Sequence, residues 1–115
     1  MKSVLVDTDV LIEFLRGKEY ARDFLFSLLD DTTIFCSAIT VAEIYAGMRE
    51  HEKGKTADLI DGMSIVDVTR EIAEKAGNYK RSIKSPRLEL DDFIIAATAF
   101  IIKAALSTLN VKHYP

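Results

Sequence analysis

Ser3-Val4-Leu5-Val6-Asp7-Thr8-Asp9-Val10 is the stretch whose reading decides the fold. Consecutive β-favouring apolar residues read as a strand, and the acid that ends them stands at its carboxyl end. In open parallel α/β sheets that end is where ligands gather. Three later junctions carry polar signals of the same kind: Thr40-Val41-Ala42-Glu43, Leu90-Asp91-Asp92-Phe93 and Thr108-Leu109-Asn110. Acids far apart in sequence can converge at such junctions. A cluster of carboxylates without histidines or thiols suits a hard, oxygen-seeking cation such as Mg²⁺ or Mn²⁺.

Working outward, strands and helices alternate without repeats, low-complexity tracts or a linker. A helix of about two turns follows the first strand to Leu15, with Gly17 beyond its end. Lys18 to Leu29 predicts a second helix with Tyr20, Phe24 and Leu28 on one face, and Thr33 to Ser37 a strand. Thr40 opens a helix to about Glu52 through Thr-x-x-Glu, the pattern of a capping box. A short helical piece over Ala57 to Asp61 leads to a strand over Ser64 to Val68. Thr69 caps a helix to about Ile83, with Glu71 and Glu74 near its positive end. Ser85-Pro86 breaks the chain, Asp91 or Asp92 opens a helix to about Ala104, and Leu106-Ser107-Thr108 begins a last strand. Strands separated by helices imply a parallel sheet covered on both faces.

Composition narrows the function. With 115 residues the chain makes one domain, and 49% hydrophobic residues suffice for a core. The single Cys36 cannot form an internal disulfide and sits in an apolar run, which implies an inert core thiol and a reducing, cytoplasmic setting. His51, His113 and one cysteine cannot build an ordinary zinc site. Asp7 and Asp9 interrupt any hydrophobic leader, and Phe93 to Ile102 is too short to span a bilayer. A net charge of −3 argues against general affinity for nucleic acid but leaves room for local basic patches.

Among the acids, Asp7 is the foremost candidate, because Thr8 and Asp9 could cap the following helix equally well. Asp9 reads first as that cap. Glu43 has a competing structural duty as the fourth residue of the capping box, although its place after the second strand faces it toward Asp7. Of Asp91 and Asp92, one is expected to be only a cap. Thr108 and Asn110 could be no more than a turn. Arg49 with its neighbours, and Lys80, Arg81, Lys84 and Arg87, default to solvated surface. The second group runs directly into Asp91-Asp92, as a phosphate-binding rim around an acidic centre would.

Taken in order, these segments resemble a PIN domain, particularly the small VapC-type toxin ribonucleases of toxin–antitoxin pairs. Val6-Asp7-Thr8-Asp9-Val10-Leu11-Ile12 is similar to the family's first motif, and Thr40 to Gly47 to its second. Asp92-Phe93-Ile94-Ile95-Ala96-Ala97-Thr98-Ala99 matches the third, and its phase selects Asp92 over Asp91. Leu106, Thr108 and Asn110 match the last motif, with Asn where the fullest pattern has Asp, and His113 stands at a nearby position often acidic in relatives. The resemblance covers essentially all of residues 1–115. It implies a three-layer α/β/α sandwich with a mainly parallel sheet of four to five strands. It further implies a metal-dependent endoribonuclease in which Asp7, Glu43 and Asp92 hold Mg²⁺ or Mn²⁺ and Thr8, Thr108 and Asn110 support them. RNA would be the substrate, and a homodimer and an antitoxin protein the expected associations.

Two other readings compete. Asp7-Thr8-Asp9-Val10 also fits the opening of haloacid-dehalogenase-like phosphatases, where the first Asp attacks phosphate and the second is an acid. The chain is short for that fold, and Glu43 has no role in it. A PIN-like interaction module with a degenerate site is the third reading, with Phe24, Phe26, Leu28 or Phe100 offering apolar surface to a partner.

Overall fold

A computed structural model describes residues 2–108, and Asn110 and His113 lie outside them. The chain alternates as expected: β1 (Lys2–Val6), α1 (Thr8–Leu15), α2 (Glu19–Ser27), β2 (Thr32–Ser37), α3 (Ala38–Gly47), α4 (Lys53–Asp61), β3 (Ser64–Val66), α5 (Arg70–Ser82), α6 (Leu90–Ile102) and β4 (Ala105–Ser107). A 3-10 turn over Glu50–Glu52 precedes α4. The described strands form one parallel sheet in the order β3-β2-β1-β4. The chain therefore grows in one direction from β1 through β2 to β3 and returns to the other side of β1 for β4. That reversal creates a switch point between β1 and β4, at the carboxyl end of β1.

Side-chain alternation along the strands builds the two outer layers. Val4 and Val6 of β1 with Ile34 and Cys36 of β2 face Val10, Leu11, Leu25 and Ile44 from α1, α2 and α3. Leu5, Phe35 and Leu106 point to the opposite face, against Ile95 and Ala99 of α6. Beyond them α5 packs on α6 through Ile72, Ala76, Phe93 and Ala97. Each fully buried Leu, Ile or Phe contributes about 1.5–3 kcal/mol of transfer free energy. The burial of Phe93, Ile95, Ala97, Thr98 and Ala99 shows why α6 carries so little amphipathic signal: it is covered on most of its circumference.

Several local expectations are met. Gly17 follows α1 with φ +79°, a conformation that suits glycine, and Thr69 Oγ1 accepts from the Ile72 amide at 3.2 Å to cap α5. Others are corrected. The buried stripe of α2 is Ala21 and Leu25, while Tyr20 is 54% exposed and Phe24 and Leu28 are half-buried. The helix expected from Thr40 to Glu52 begins at Ala38 and stops at Gly47. No helix of the described residues is long and apolar enough to cross a membrane.

Candidate metal centre

Asp7 ends β1 and is 2% exposed. Its own amide donates to the Ser107 carbonyl at 2.8 Å, which ties the ends of β1 and β4 together and brings Thr108 alongside. Thr108 Oγ1 donates to Asp7 Oδ2 at 2.6 Å, and the Thr8 amide donates to Asp7 Oδ1 at 2.7 Å. Asp7 is thus also the N-cap of α1, the duty assigned above to Asp9, which instead sits half-buried in the helix's first turn. Burial pushes the Asp7 carboxyl above its usual range, the two hydrogen bonds pull it back, and the nearby charges of Asp9 and Asp92 raise it further.

Glu43 reaches the same place from α3. The expected capping box does not form there: Ser37 is the N-cap, its Oγ accepting from the Ile39 amide at 3.1 Å. The true helix start, three residues earlier, releases the Glu43 carboxylate, and Oε1 accepts instead from Thr8 Oγ1 at 2.7 Å. Thr8 is also hydrogen-bonded to the fully buried Thr40 hydroxyl at 3.0 Å. Burial pushes the Glu43 carboxyl up to about 7, with a hydrogen bond to the Asp91 carboxyl and the charges of Asp91 and Asp7 adding to it. The Asp91 carboxyl thus stands beside Glu43 as a further acid, from the first turn of α6.

Asp92 approaches Asp7 and Asp9 from the first turn of α6, where its Oδ2 accepts from the Glu89 amide at 2.8 Å. It caps the helix and faces the acids at once. Burial again raises its carboxyl above the usual range, against that backbone hydrogen bond and with the charges of Asp91, Asp9 and Glu89 adding. Both Asp91 and Asp92 stand near other acids, Asp91 beside Glu43 and Asp92 near Asp7.

Every buried hydroxyl at this end of the sheet (Thr8, Ser37 and Thr40) has a hydrogen-bond partner. By contrast, Thr56 Oγ1 within α4 is buried and has no partner among the described residues. Thr40 and Asp91 are the residues that sequence reading passed over. Thr40 was masked by its apparent cap role, and Asp91 by its adjacency to Asp92. Of the cations singled out above, Arg49, Lys80, Arg81, Lys84 and Arg87 are all exposed. Lys80 lies over the Phe93 ring at 5.9 Å, next to Asp92 in sequence, and Arg81 bonds Asn78 Oδ1 at 2.8 Å.

Among the described residues no three acids, histidines or cysteines are arranged as a ready-made metal cage. The donor set nevertheless fits a hard cation. The raised carboxyls at this end are oxygen donors, Asp7 buried and Glu43 and Asp92 half-buried, and each lies close to like charge, which a divalent ion would relieve. Mg²⁺ keeps several waters and is held by one or two carboxylates rather than a closed cage.

The chain and its fold have counterparts among known proteins. The model of the PIN domain family matches residues 4–113. The chain belongs to the PIN domain family. This PIN domain is 40% identical over 114 residues to Ribonuclease VapC10 of Mycobacterium tuberculosis (strain H37Rv), covering 97% of this chain and 86% of the relative. It is 33% identical to Ribonuclease VapC19 of the same strain, with coverage of 96% and 91%. Among solved structures, a toxin–antitoxin complex from Klebsiella pneumoniae superposes with a TM-score of 0.80 at 29% identity, over 96% of this chain and 88% of that one. Membership of this family, and the engagement of Glu43 with Thr8, leave the phosphatase reading of Asp7 and Asp9 without support.

Proposed function

We propose that residues 1–115, as one PIN domain, form a metal-dependent endoribonuclease, the toxin of a toxin–antitoxin pair acting in the cytoplasm. Asp7 is the observation that carries this reading. An ordinary helix cap does not need a 2%-exposed carboxylate pushed up by burial and faced by other acids at a sheet's switch point. Resemblance to two VapC ribonucleases and to a toxin–antitoxin complex supports the substrate class and the partner.

Asp7, Glu43 and Asp92 would hold Mg²⁺ or Mn²⁺, with Asp91 near Glu43 and Asn110 as a neutral donor at the end of the last motif. The ion supplies an acidified water and charge neutralisation at the scissile phosphate. The chain's own groups do the rest. Thr108 and the Thr8 amide fix both oxygens of Asp7, so its carboxylate cannot rotate away. Thr8, held by Thr40, orients Glu43 in the same manner. Arg49, Lys80, Arg81, Lys84 and Arg87 supply exposed cations for the RNA backbone, setting its path without reading its sequence. Exposed Phe26, Leu29 and Phe100 provide apolar surface for the homodimer and the antitoxin.

The decisive measurement is calorimetric titration of Mn²⁺ into metal-free wild type and Glu43→Gln, beside cleavage of total RNA in Mg²⁺, Mn²⁺ or EDTA. Binding by wild type, weakened in Glu43→Gln, with cleavage only in the presence of metal, is the expected result. Absence of both binding and cleavage in folded wild type would leave a PIN-like interaction module as the better account.

A further inference from the structure

One pocket beside the acids is unused by the reading above. It lies between α2 and the end of β4, encloses about 270 Å³, and is lined by Val10, Tyr20, Ala21, Phe24, Ser107 and Thr108. Thr108 belongs to both places: it lines the pocket and donates to Asp7 Oδ2. A group seated here is therefore adjacent to anything held at the acidic centre.

The lining specifies the chemistry of the occupant. No Lys or Arg lines the pocket, so it is not built for a phosphate. The named cations stand instead on α5 and the segment before α6, or at Arg49. What the pocket offers is two aromatic rings, small apolar side chains and two hydroxyl-bearing residues at one end. Its volume falls just below that of ordinary drug-sized ligand sites, the scale of a single planar heterocycle. Tyr20 is 54% exposed, so its ring is open to a partner, and Glu13 of α1 stands near its hydroxyl. A Tyr side chain has only two torsions to fix, so stacking another ring on it costs little entropy. Unpaired bases splayed from a single strand and stacked on aromatic side chains are the standard means by which proteins read RNA.

We propose that this pocket takes one unpaired nucleobase of the RNA strand, next to the phosphodiester held at the acidic centre, with Tyr20 as its stacking platform. The proposal rests on the ribonuclease reading for the identity of the strand. Tyr20 then sets which base is accepted beside the cut, while the cations hold the backbone. It is a specificity-determining residue and takes no part in the bond cleavage.

The test uses the full chain and single-stranded RNA in which uridines are replaced by 5-iodouridine, irradiated in EDTA, with cross-linked residues mapped by mass spectrometry. Cross-links to Tyr20 or Phe24 are expected, abolished at Tyr20 in Tyr20→Ala. In parallel, cleavage sites in total RNA are sequenced for wild type, Tyr20→Phe and Tyr20→Ala. Tyr20→Ala should raise KM by about tenfold and erase base preference at one position flanking the cut, whereas Tyr20→Phe keeps both. Cross-links confined to other surfaces, as when residues after Thr108 or a protein partner fill the pocket, overturn the proposal. So does a Tyr20→Ala protein with unchanged KM and preference. Failure of wild type to cleave RNA overturns the ribonuclease reading instead, and cross-linking still decides the pocket without it.

Discussion

Two helix starts, those of α3 and α6, bring acids to the same end of the sheet and treat them in opposite ways. At α3 the sequence offers a capping box from Thr40 to Glu43, yet Ser37 caps the helix and Glu43 is released to Thr8. At α6 a box does form, and Asp92 gives one oxygen to the Glu89 amide while facing Asp7 and Asp9. Local capping and site-building thus compete for the same carboxylates. Which one prevails depends on where the strand before the helix stops: β2 runs to Ser37, whose hydroxyl is in place first.

The largest test of this contrast separates charge from capping at Asp92. An asparagine at this third helical position can accept the same Glu89 amide through Oδ1, so Asp92→Asn should keep its stability within about 0.5 kcal/mol of wild type. Its cleavage should fall by more than the roughly 10–100-fold typical of outer-shell partners. Asp92→Ala should lose the same activity and, with the hydrogen bond to the Glu89 amide gone, about 1 kcal/mol of stability as well. Equal activity for Asp92→Asn and wild type in an RNA-cleavage assay would remove Asp92 from the centre.

At α3 the expected order of effects is reversed. Ser37→Ala should cost about 1 kcal/mol, a fall in Tm of roughly 4–8 °C by calorimetry, with metal affinity little changed. Glu43→Gln should leave the cap intact and act through proton linkage. The folded Glu43 carboxyl titrates near 7, above its unfolded value, so the folded state holds this proton more tightly than the unfolded chain. Stability of the metal-free protein should accordingly fall as pH rises from about 4.5 to 7, and then level off. Glu43→Gln should flatten that part of a denaturant-derived stability profile. Asp7 and Asp92 are shifted in the same direction, so millimolar Mn²⁺ should raise the wild-type Tm at neutral pH.

The smallest effect is a control on the hydroxyls. Thr8 and Thr40 serve an acid, whereas Thr56 serves nothing that the described residues provide. Thr56→Val, nearly the same shape, should raise stability by up to about 1 kcal/mol by removing an unpaired buried group. Thr40→Val should lower it by removing the Thr8 partner.

Sequence by itself determined the alternation of strands and helices, the place of Asp7 at the end of the first strand, and, through the match of motifs, the family. Those are properties of local pattern: apolar runs, turn residues and spacing survive in one dimension. Only the tertiary structure decided which carboxylates also accept a backbone amide, as Asp7 and Asp92 do, and which is released from one, as Glu43 is. It released Glu43 by starting α3 at Ala38, gave the cap of α1 to Asp7 rather than Asp9, and set Asp91 against Glu43. It also put Tyr20 and Phe24 beside Thr108, residues that helix spacing alone had assigned to the buried face. The reason is physical: a hydrogen-bond donor is claimed by the nearest well-oriented acceptor in space, and that distance is set by strand length, sheet order and burial.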